Sequence, residues 1–206
     1  MSDEANHMQV ATKAAMVLTG LALTAGTAKA DQTVTIGFAG PLTGQTSHVG
    51  KDAQNGAQLA IDEANAAGIK IKGTQVRFAL DAEDDAADPK TAVAVAQKFV
   101  DEKANGVVGH LNSGATLPAS KVYASAGIPE VSPSATNPML TRQGFTTSFR
   151  VIGDDTYVGR VVAQYMAKTK GYKRVAIIDD RTSYGQGLAD VVAAELKAAG
   201  VSIDRQ

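Results

Sequence analysis

Residues 106–138 read GVVGHLNSGATLPASKVYASAGIPEVSPSATNP, and this stretch decides the fold of the chain. Two short apolar runs, 106–108 and 128–131, are separated by a helix-like segment, and this order predicts a parallel sheet with right-handed crossovers. Each run is followed by a loop of small polar residues, 109–116 and 132–138. Loops that leave the carboxyl ends of parallel strands line the ligand crevice of such a sheet, so these two are the candidate binding loops.

The same alternation continues along the chain on both sides of this stretch. Asp88 and Pro89 open one of the helices as N-cap and first helical residue, and Gly68 and Gly200 end two others. We therefore predict an α/β fold of two doubly wound parallel-sheet lobes, with the second lobe incomplete. The predicted strands lie at 33–39, 75–80, 106–108, 128–131, 147–152, 174–178 and 201–203, and the helical stripes at 53–64, 89–100, 116–126, 158–166 and 188–196.

The composition excludes several classes of function. The chain has 206 residues with a formal net charge of −1, which gives no electrostatic attraction to nucleic acid or to an anionic membrane. It contains no cysteine, so disulfide scaffolds, Cys-rich zinc sites and thiol catalysis are excluded.

The first thirty residues have the pattern of a secretory signal peptide. Lys13 precedes an uncharged apolar run at 14–26, and Ala28-Lys29-Ala30 is an A-x-A cleavage signature. The run is short for a membrane span, although an uncleaved anchor is the alternative. The acidic start is unusual for a signal peptide, so translation begins at Met1 or at Met8. We predict a signal peptide at 1–30, an N-terminal lobe at 31–150 and the beginning of a second lobe at 151–206.

Three other motifs give weaker indications of chemistry. Residues 44–52 lie between a strand and a helix but lack the spacing of a phosphate-binding loop. The acidic run 81–88 lacks the glycine of a calcium-binding loop and precedes a helix, where carboxylates are favourable without any metal. His48 and His110 adjoin strand ends; acid–base catalysis is one interpretation, and a histidine hydrogen-bonded to nearby backbone is the favoured one. We predict no catalytic residues, no metal site and no cofactor.

The two candidate binding loops instead offer hydroxyls and backbone N–H groups. Ser113 and Thr136 can each give a carboxylate a hydroxyl and an N–H, and carbonyls near Ser134 and Ala135 can accept from an ammonium group. The alternative is that Ser113 or Thr116 only caps the following helix, and the chemistry alone leaves both interpretations open.

Six ordered stretches together resemble the periplasmic leucine/isoleucine/valine-binding proteins of amino-acid ABC transporters. The resemblance extends from about residue 33 to the end of the chain, and it implies two α/β lobes that close on an amino acid at a hinge. It also implies that this chain is an N-terminal fragment, with weak or no ligand affinity by itself. The stretches are IGFAGPLTG at 36–44, NGAQLAIDEANAAGIK at 55–70, DDAADPKTAVAVAQKFV at 84–100, VVGHLNSGATLPASKVY at 107–123, SPSATNPMLT at 132–141 and DDRTSYGQGLAD at 179–190.

The resemblance implies a role for individual residues of this chain. Ser113 and Thr136 match the pair that holds the ligand α-carboxylate, and the carbonyl of Ser134 or Ala135, with the Thr136 hydroxyl, matches part of the ammonium site. The remaining matches are Asn112 beside the pocket, Tyr184 from the second lobe, and Val49 with neighbouring His48 where many relatives place an aromatic ring. Val49 departs from that pattern, so the side-chain preference of the pocket stays open.

The function that we expect from the resemblance is capture of a branched-chain or related amino acid and its delivery to an ABC permease. The expected protein is a periplasmic monomer when full length, performs no catalysis and binds no nucleic acid. An amino-acid or amide sensor domain of the same fold is the alternative. A histidine-dependent hydrolase is a more distant one.

Overall fold

The computed structural model describes residues 32–205, which form eight strands and five α-helices. The signal-peptide prediction lies outside these residues. Among the residues described, no helix is both long enough and apolar enough to span a membrane. The elements are β1 Gln32–Gly40, α1 Ser47–Ala66, β2 Lys70–Ile71, β3 Thr74–Asp84, α2 Pro89–Asp101, β4 Gly106–Gly109, α3 Ser113–Ala126, β5 Glu130–Ser132, β6 Ser148–Arg150, α4 Asp155–Gln164, β7 Arg174–Ile177, α5 Ser183–Ala198 and β8 Ser202–Arg205.

The first six strands form one sheet in the order β2-β3-β1-β4-β5-β6. All neighbouring pairs are parallel except the short antiparallel pair of β2 and β3, which confirms the predicted parallel sheet. Strand β3 lies on one side of β1, and β4 lies on the other side. The connection from β1 to β3 and the connection from β3 to β4 therefore run in opposite directions across the sheet. Right-handed crossovers therefore place α1 and α2 on opposite faces of the sheet. The carboxyl ends of β1, β4 and β5 are adjacent, which brings their loops together at one edge.

Helices α2 and α3 cover one face of this sheet and enclose its main core. The α2 stripe was predicted at Ala92, Ala96, Phe99 and Val100; the first three are fully buried and Val100 packs against the core. From α3, Tyr123 is also fully buried in this cluster. Asp88 caps α2 as predicted, because its carboxylate accepts from the amides of Lys90 and Thr91. This packing fixes the start of α3 at Ser113, which lies inside the first candidate binding loop and earlier than the predicted helix at 116–126.

Helix α1 begins earlier than the sequence predicts. Its first residue is Ser47, whereas the region up to Gly50 was expected to be a loop. Gly50 is buried in the first turn, where an added Cβ would lie 1.9 Å from the Pro41 carbonyl oxygen. Glycine is therefore required by close packing of the helix on the β1 loop, and it does not interrupt the helix here.

The last two strands form a separate two-stranded parallel sheet. Helices α4 and α5 pack on it around Leu196, and a π-helical turn at Tyr165–Thr169 continues α4. The change of sheet falls between β6, which ends at Arg150, and α4, which begins at Asp155. The predicted second series of strands and helices is therefore confirmed.

Candidate functional site

A cleft of about 770 Å³ opens where the loops of the large sheet face the start of α5. One wall comes from the loops after β4 and β5, and the other from the loop between β7 and α5. Of the residues predicted for the site, Asn112, Ser113, Ser134, Thr136 and Tyr184 line this cleft together. The other lining residues are Ala87, Pro89, Leu111, Gly114, Asp180, Arg181, Thr182 and Ser183.

Ser113 lies at the first position of α3 and is almost fully buried. Its hydroxyl oxygen accepts a hydrogen bond from the Asn137 amide at 3.2 Å, so it joins the two candidate binding loops. Since the oxygen is used as an acceptor, the hydroxyl proton remains free to be donated to a ligand. The amides of Ser113 and Gly114 precede the first closed turn of α3, and such amides together with the helix dipole favour an anion.

The capping alternative for this loop is wrong. The N-cap residue of α3 is Asn112, and no side chain caps the helix there. The Thr116 hydroxyl donates back to the carbonyls of His110 and Asn112, at 3.0 and 2.9 Å, instead of accepting from a helix amide. Ser113 is thereby left as a residue of the cleft wall.

Thr136 lies in the second candidate binding loop, and its side-chain hydroxyl is buried. This hydroxyl has no hydrogen-bond partner of normal geometry, an unusual and costly condition for a buried polar group. The Thr136 carbonyl accepts from the Asp155 amide at 2.9 Å, which ties the loop to the start of α4.

Asp155 is a residue of this region that sequence reasoning missed. Its side chain is 1% exposed, and neither carboxylate oxygen has a hydrogen-bond partner of normal geometry. Burial raises the pKa of Asp155 and nearby Asp154 adds to this, while the Thr136 hydroxyl and the Arg150 guanidinium oppose it. The sequence signal was the pair of aspartates directly after the strand-like run 147–152, at the point where the chain leaves the first sheet.

The remaining predicted residues of the second loop are placed differently from one another. Ser134 is exposed and lines the cleft. Ala135 is 1% exposed, and its amide donates to the Ser132 hydroxyl at 3.0 Å. Asn112 is half-buried with an unpaired side-chain oxygen. Ser134 and Asn112 are thus available to a ligand through their side chains, whereas Ala135 offers backbone only.

The opposite wall is the turn before α5. Asp180 organises it by accepting from the Thr182 amide and hydroxyl, at 3.0 and 2.7 Å, and these bonds hold the pKa of Asp180 below its usual range. Tyr184 lines the cleft and is 47% exposed. The Asn137 side-chain amide donates to the Ser183 carbonyl at 3.0 Å, so the two walls are in direct contact.

His48 and Val49 are not brought into this cleft. Both are exposed in the first turn of α1, and neither is among the residues that line the cavity. Their predicted contact with the ligand side chain stays a prediction.

The His110 ring is bonded to two side chains and not to backbone, so the favoured interpretation of this residue is wrong. The ring is fully buried between the Asp85 carboxylate, 2.7 Å from Nδ1, and the Tyr123 hydroxyl, 3.0 Å from Nε2. In the acidic run, Asp84 accepts from the Leu42 amide and the Thr43 hydroxyl. No cluster of potential metal ligands occurs among residues 32–205.

The cleft offers hydrogen-bond donors to an anionic group, namely the hydroxyls and the free amides at the start of α3. The buried Asp155 carboxylate lies beside Thr136 but does not line the cleft. The hydrogen-bond partner of the Ser113 hydroxyl among residues 32–205 is the Asn137 backbone amide.

Comparison with known proteins gives consistent matches along almost the whole described part of the chain. The sequence profile of the periplasmic binding protein family matches residues 33–205. The Leu/Ile/Val-binding protein homolog 1 of Brucella abortus is 43% identical over 189 residues, which is 89% of this chain and 50% of that protein. An amino acid binding protein of Pseudomonas aeruginosa is 45% identical over 169 residues, 82% of this chain and 44% of that protein.

A solved structure with the same fold is the branched-chain amino acid transporter substrate binding protein LivJ from Streptococcus pneumoniae, in complex with isoleucine. It superposes with a TM-score of 0.74 at 33% sequence identity, and the match covers 84% of this chain and 49% of LivJ. The chain thus spans about half the length of the relatives it matches.

Proposed function

This chain belongs to the periplasmic binding protein family, and on that premise we propose that it captures a branched-chain or related amino acid in the cleft without reacting with it. The main support is that Ser113 and Thr136, from two different loops, line the same cleft. A ligand carboxylate bound between them can accept a hydrogen bond from each hydroxyl. The name of the Brucella relative, a Leu/Ile/Val-binding protein homolog, and the isoleucine bound to LivJ favour the branched-chain class.

The α-carboxylate of the ligand binds at the start of α3. The Ser113 hydroxyl proton is free for donation because its oxygen already accepts from the Asn137 amide. Hydrogen bonds to a charged acceptor are worth about 1.5–3 kcal/mol each, roughly twice a neutral one. The Thr136 hydroxyl supplies the second bond from the facing loop.

The ammonium group binds on the Asp155 side of Thr136. The Asp155 carboxylate is buried beside Thr136, and its ionised form stabilises a cation near the Thr136 oxygen. The Ala135 carbonyl, or that of Ser134, accepts a further proton. Replacing Asp155 by asparagine keeps its shape and removes its charge, so we expect Asp155→Asn to weaken leucine binding about tenfold or more, a loss of about 1.4 kcal/mol in binding free energy.

The ligand side chain lies against the apolar parts of both walls. Leu111 and the Tyr184 ring provide such surface, and Tyr184 belongs to the α5 side of the cleft. Its 47% exposure leaves area that a ligand buries on binding. Val49 with His48 is the further predicted contact.

Capture proceeds by closure of two lobes around the ligand, the N-terminal lobe at 31–150 and a second lobe of which 151–206 is the beginning. The Asn137 side chain already contacts the Ser183 carbonyl of the opposite wall. The protein then delivers its ligand to the membrane permease of an ABC transporter. It acts in the periplasm as a monomer when full length.

Calorimetry on the full-length protein tests capture. Leucine, isoleucine, valine, phenylalanine and simple amides are titrated; we expect a 1:1 complex with a branched-chain amino acid at a Kd below about 10 μM. The double variant Ser113→Ala, Thr136→Ala loses at least about 100-fold in affinity, because two charge-assisted bonds disappear. Ser125→Ala, which removes an exposed α3 hydroxyl far from the cleft wall, serves as the matched control and binds normally. No binding of any of these ligands, or tight binding by the double variant, contradicts the proposal.

Delivery is tested separately by uptake of radiolabelled leucine in cells that lack the gene. Reintroduction of the wild-type gene restores uptake, and the double variant does not. Tight binding in solution with no effect on uptake would overturn delivery and favour the sensor alternative.

A further inference from the structure

Three fully buried polar side chains form a hydrogen-bonded chain beneath the candidate binding loops. The Asp85 carboxylate is 2.7 Å from His110 Nδ1, and His110 Nε2 is 3.0 Å from the Tyr123 hydroxyl. All three side chains are 0% exposed, and none lines the cleft. They come from the end of β3, the end of β4 and the middle of α3, so the chain of bonds joins three elements that converge under the site.

The hydrogen-bond partners of the His110 ring indicate which of its two nitrogens carries the proton. A carboxylate only accepts, so His110 donates from Nδ1 to Asp85, and Nε2 accepts from the Tyr123 hydroxyl. Burial raises the pKa of Tyr123, and the negative charges of Glu130 and Asp85 raise it further, so the hydroxyl keeps its proton and can donate. Both ring nitrogens are therefore satisfied by partners outside the loop that carries the histidine, and the ring is held in one orientation.

The backbone of His110 connects this chain to both binding loops. Its carbonyl accepts from the Thr116 hydroxyl at 3.0 Å, within the loop of Ser113. The same carbonyl accepts from the Ser132 hydroxyl at 2.9 Å, at the start of the loop of Thr136. Ser132 in turn accepts from the Ala135 amide at 3.0 Å. The His110 carbonyl therefore holds the two loops together, in addition to the bond between Ser113 and Asn137.

We propose that Asp85, His110 and Tyr123 are positioning residues that hold Ser113 and Thr136 at the spacing needed to grip a carboxylate from both sides. This inference rests on the proposed function, because it concerns the same cleft. Charge-assisted hydrogen bonds depend strongly on geometry, and a displacement of about 1 Å between donors weakens them severely. Loss of a hydrogen bond between His110 and Asp85 or Tyr123 therefore weakens the binding of the carboxylate more than the binding of the rest of the ligand.

The test compares leucine with leucinamide, in which a neutral amide replaces the carboxylate. Calorimetry on the full-length protein gives the ratio of the two Kd values for the wild type, Asp85→Asn and Tyr123→Phe. Tyr123→Phe keeps the ring and removes only the hydroxyl, so it retains the fold if Asp85→Asn does not. Phe99→Leu is the matched control, because Phe99 is equally buried in the same core cluster and makes no bond to His110.

We expect the wild type to bind leucine at least about 100-fold more tightly than leucinamide, since two charge-assisted bonds are at stake. The ratio falls at least about fivefold in Asp85→Asn and in Tyr123→Phe, and it stays at the wild-type value in Phe99→Leu. A merely structural role lowers the urea midpoint in all three variants and leaves the ratio unchanged, and that result overturns the inference alone. If the wild type binds neither ligand, the proposed function fails and the inference fails with it.

Discussion

Glu130 should make the stability of this protein fall as the pH rises through the neutral range. It is the first residue of β5 and is 0% exposed, and neither of its carboxylate oxygens has a hydrogen-bond partner of normal geometry. Burial raises the pKa of Glu130 to about 8 from its usual value of 4.5, and the Ser148 hydroxyl on the neighbouring strand opposes this only in part. The perturbation is Glu130→Gln, which keeps the shape and cannot ionise.

The sign of the effect follows from proton linkage. Between pH 4.5 and about 8 the folded protein keeps the Glu130 proton, while the unfolded chain releases it. The folded state binds more protons, so its free energy of unfolding falls by about 1.4 kcal/mol per pH unit over this interval. The stabilisation is complete below pH 4.5 and is lost by pH 8, a total of about 5 kcal/mol.

Urea unfolding of wild type and Glu130→Gln at half-unit steps from pH 4.5 to 9 measures this effect. The difference in unfolding free energy between the two proteins should change by about 5 kcal/mol in favour of the variant across the range. Glu63→Gln is the control, because this glutamate is exposed on α1 and its carboxyl stays in water in both states. Ser148→Ala removes the opposing hydroxyl and should extend the loss to higher pH. A difference in unfolding free energy between wild type and Glu130→Gln that stays constant between pH 5 and 8 would show that Glu130 is ionised in the folded protein.

Two matched pairs test the packing by urea unfolding. Gly50→Ala should destabilise the protein by at least about 3 kcal/mol, because the new Cβ would lie 1.9 Å from the Pro41 carbonyl oxygen. Gly56→Ala in the same helix meets nothing within 4 Å and should stabilise by about 0.5–1 kcal/mol, and equal effects of the two would contradict the early start of α1. Leu196→Ala, at 0% exposure under the small sheet, should cost about 2–5 kcal/mol. Leu59→Ala, at 59% exposure, should change stability by less than about 0.5 kcal/mol, and a similar loss in both leucine variants would show that the core of the small sheet is misplaced.

The order of strands and helices could be predicted from the sequence because it depends on periodicity. The stripe of α2 and the cap at Asp88 are local signals, and both are confirmed. The start of α1 could not be predicted, since Gly50 indicates a loop unless its contact with Pro41 is known. The strand β2 was also missed, because two residues between turns at Gly68 and Gly73 carry no periodicity.

The residues of the candidate site could likewise be predicted where the signal is local in the sequence, and not where it depends on distant residues. Ser113 and Thr136 could be placed on one wall because both follow strands of a parallel sheet. Asp155, Asp85 and Glu130 were not foreseen as buried, because hydropathy assigns carboxylates to the surface. Their burial depends on partners and neighbours that are distant in the sequence, and only the folded chain reveals them.

The most direct test of the account is a crystal structure of the full-length protein with leucine bound. The central claim is that Ser113 and Thr136 hold the ligand carboxylate between the two loops. We predict carboxylate oxygens within about 2.6–3.2 Å of both hydroxyls, with the ammonium group on the Asp155 side. Leucine bound in the reverse orientation, or outside the cleft between these loops and Tyr184, would contradict it.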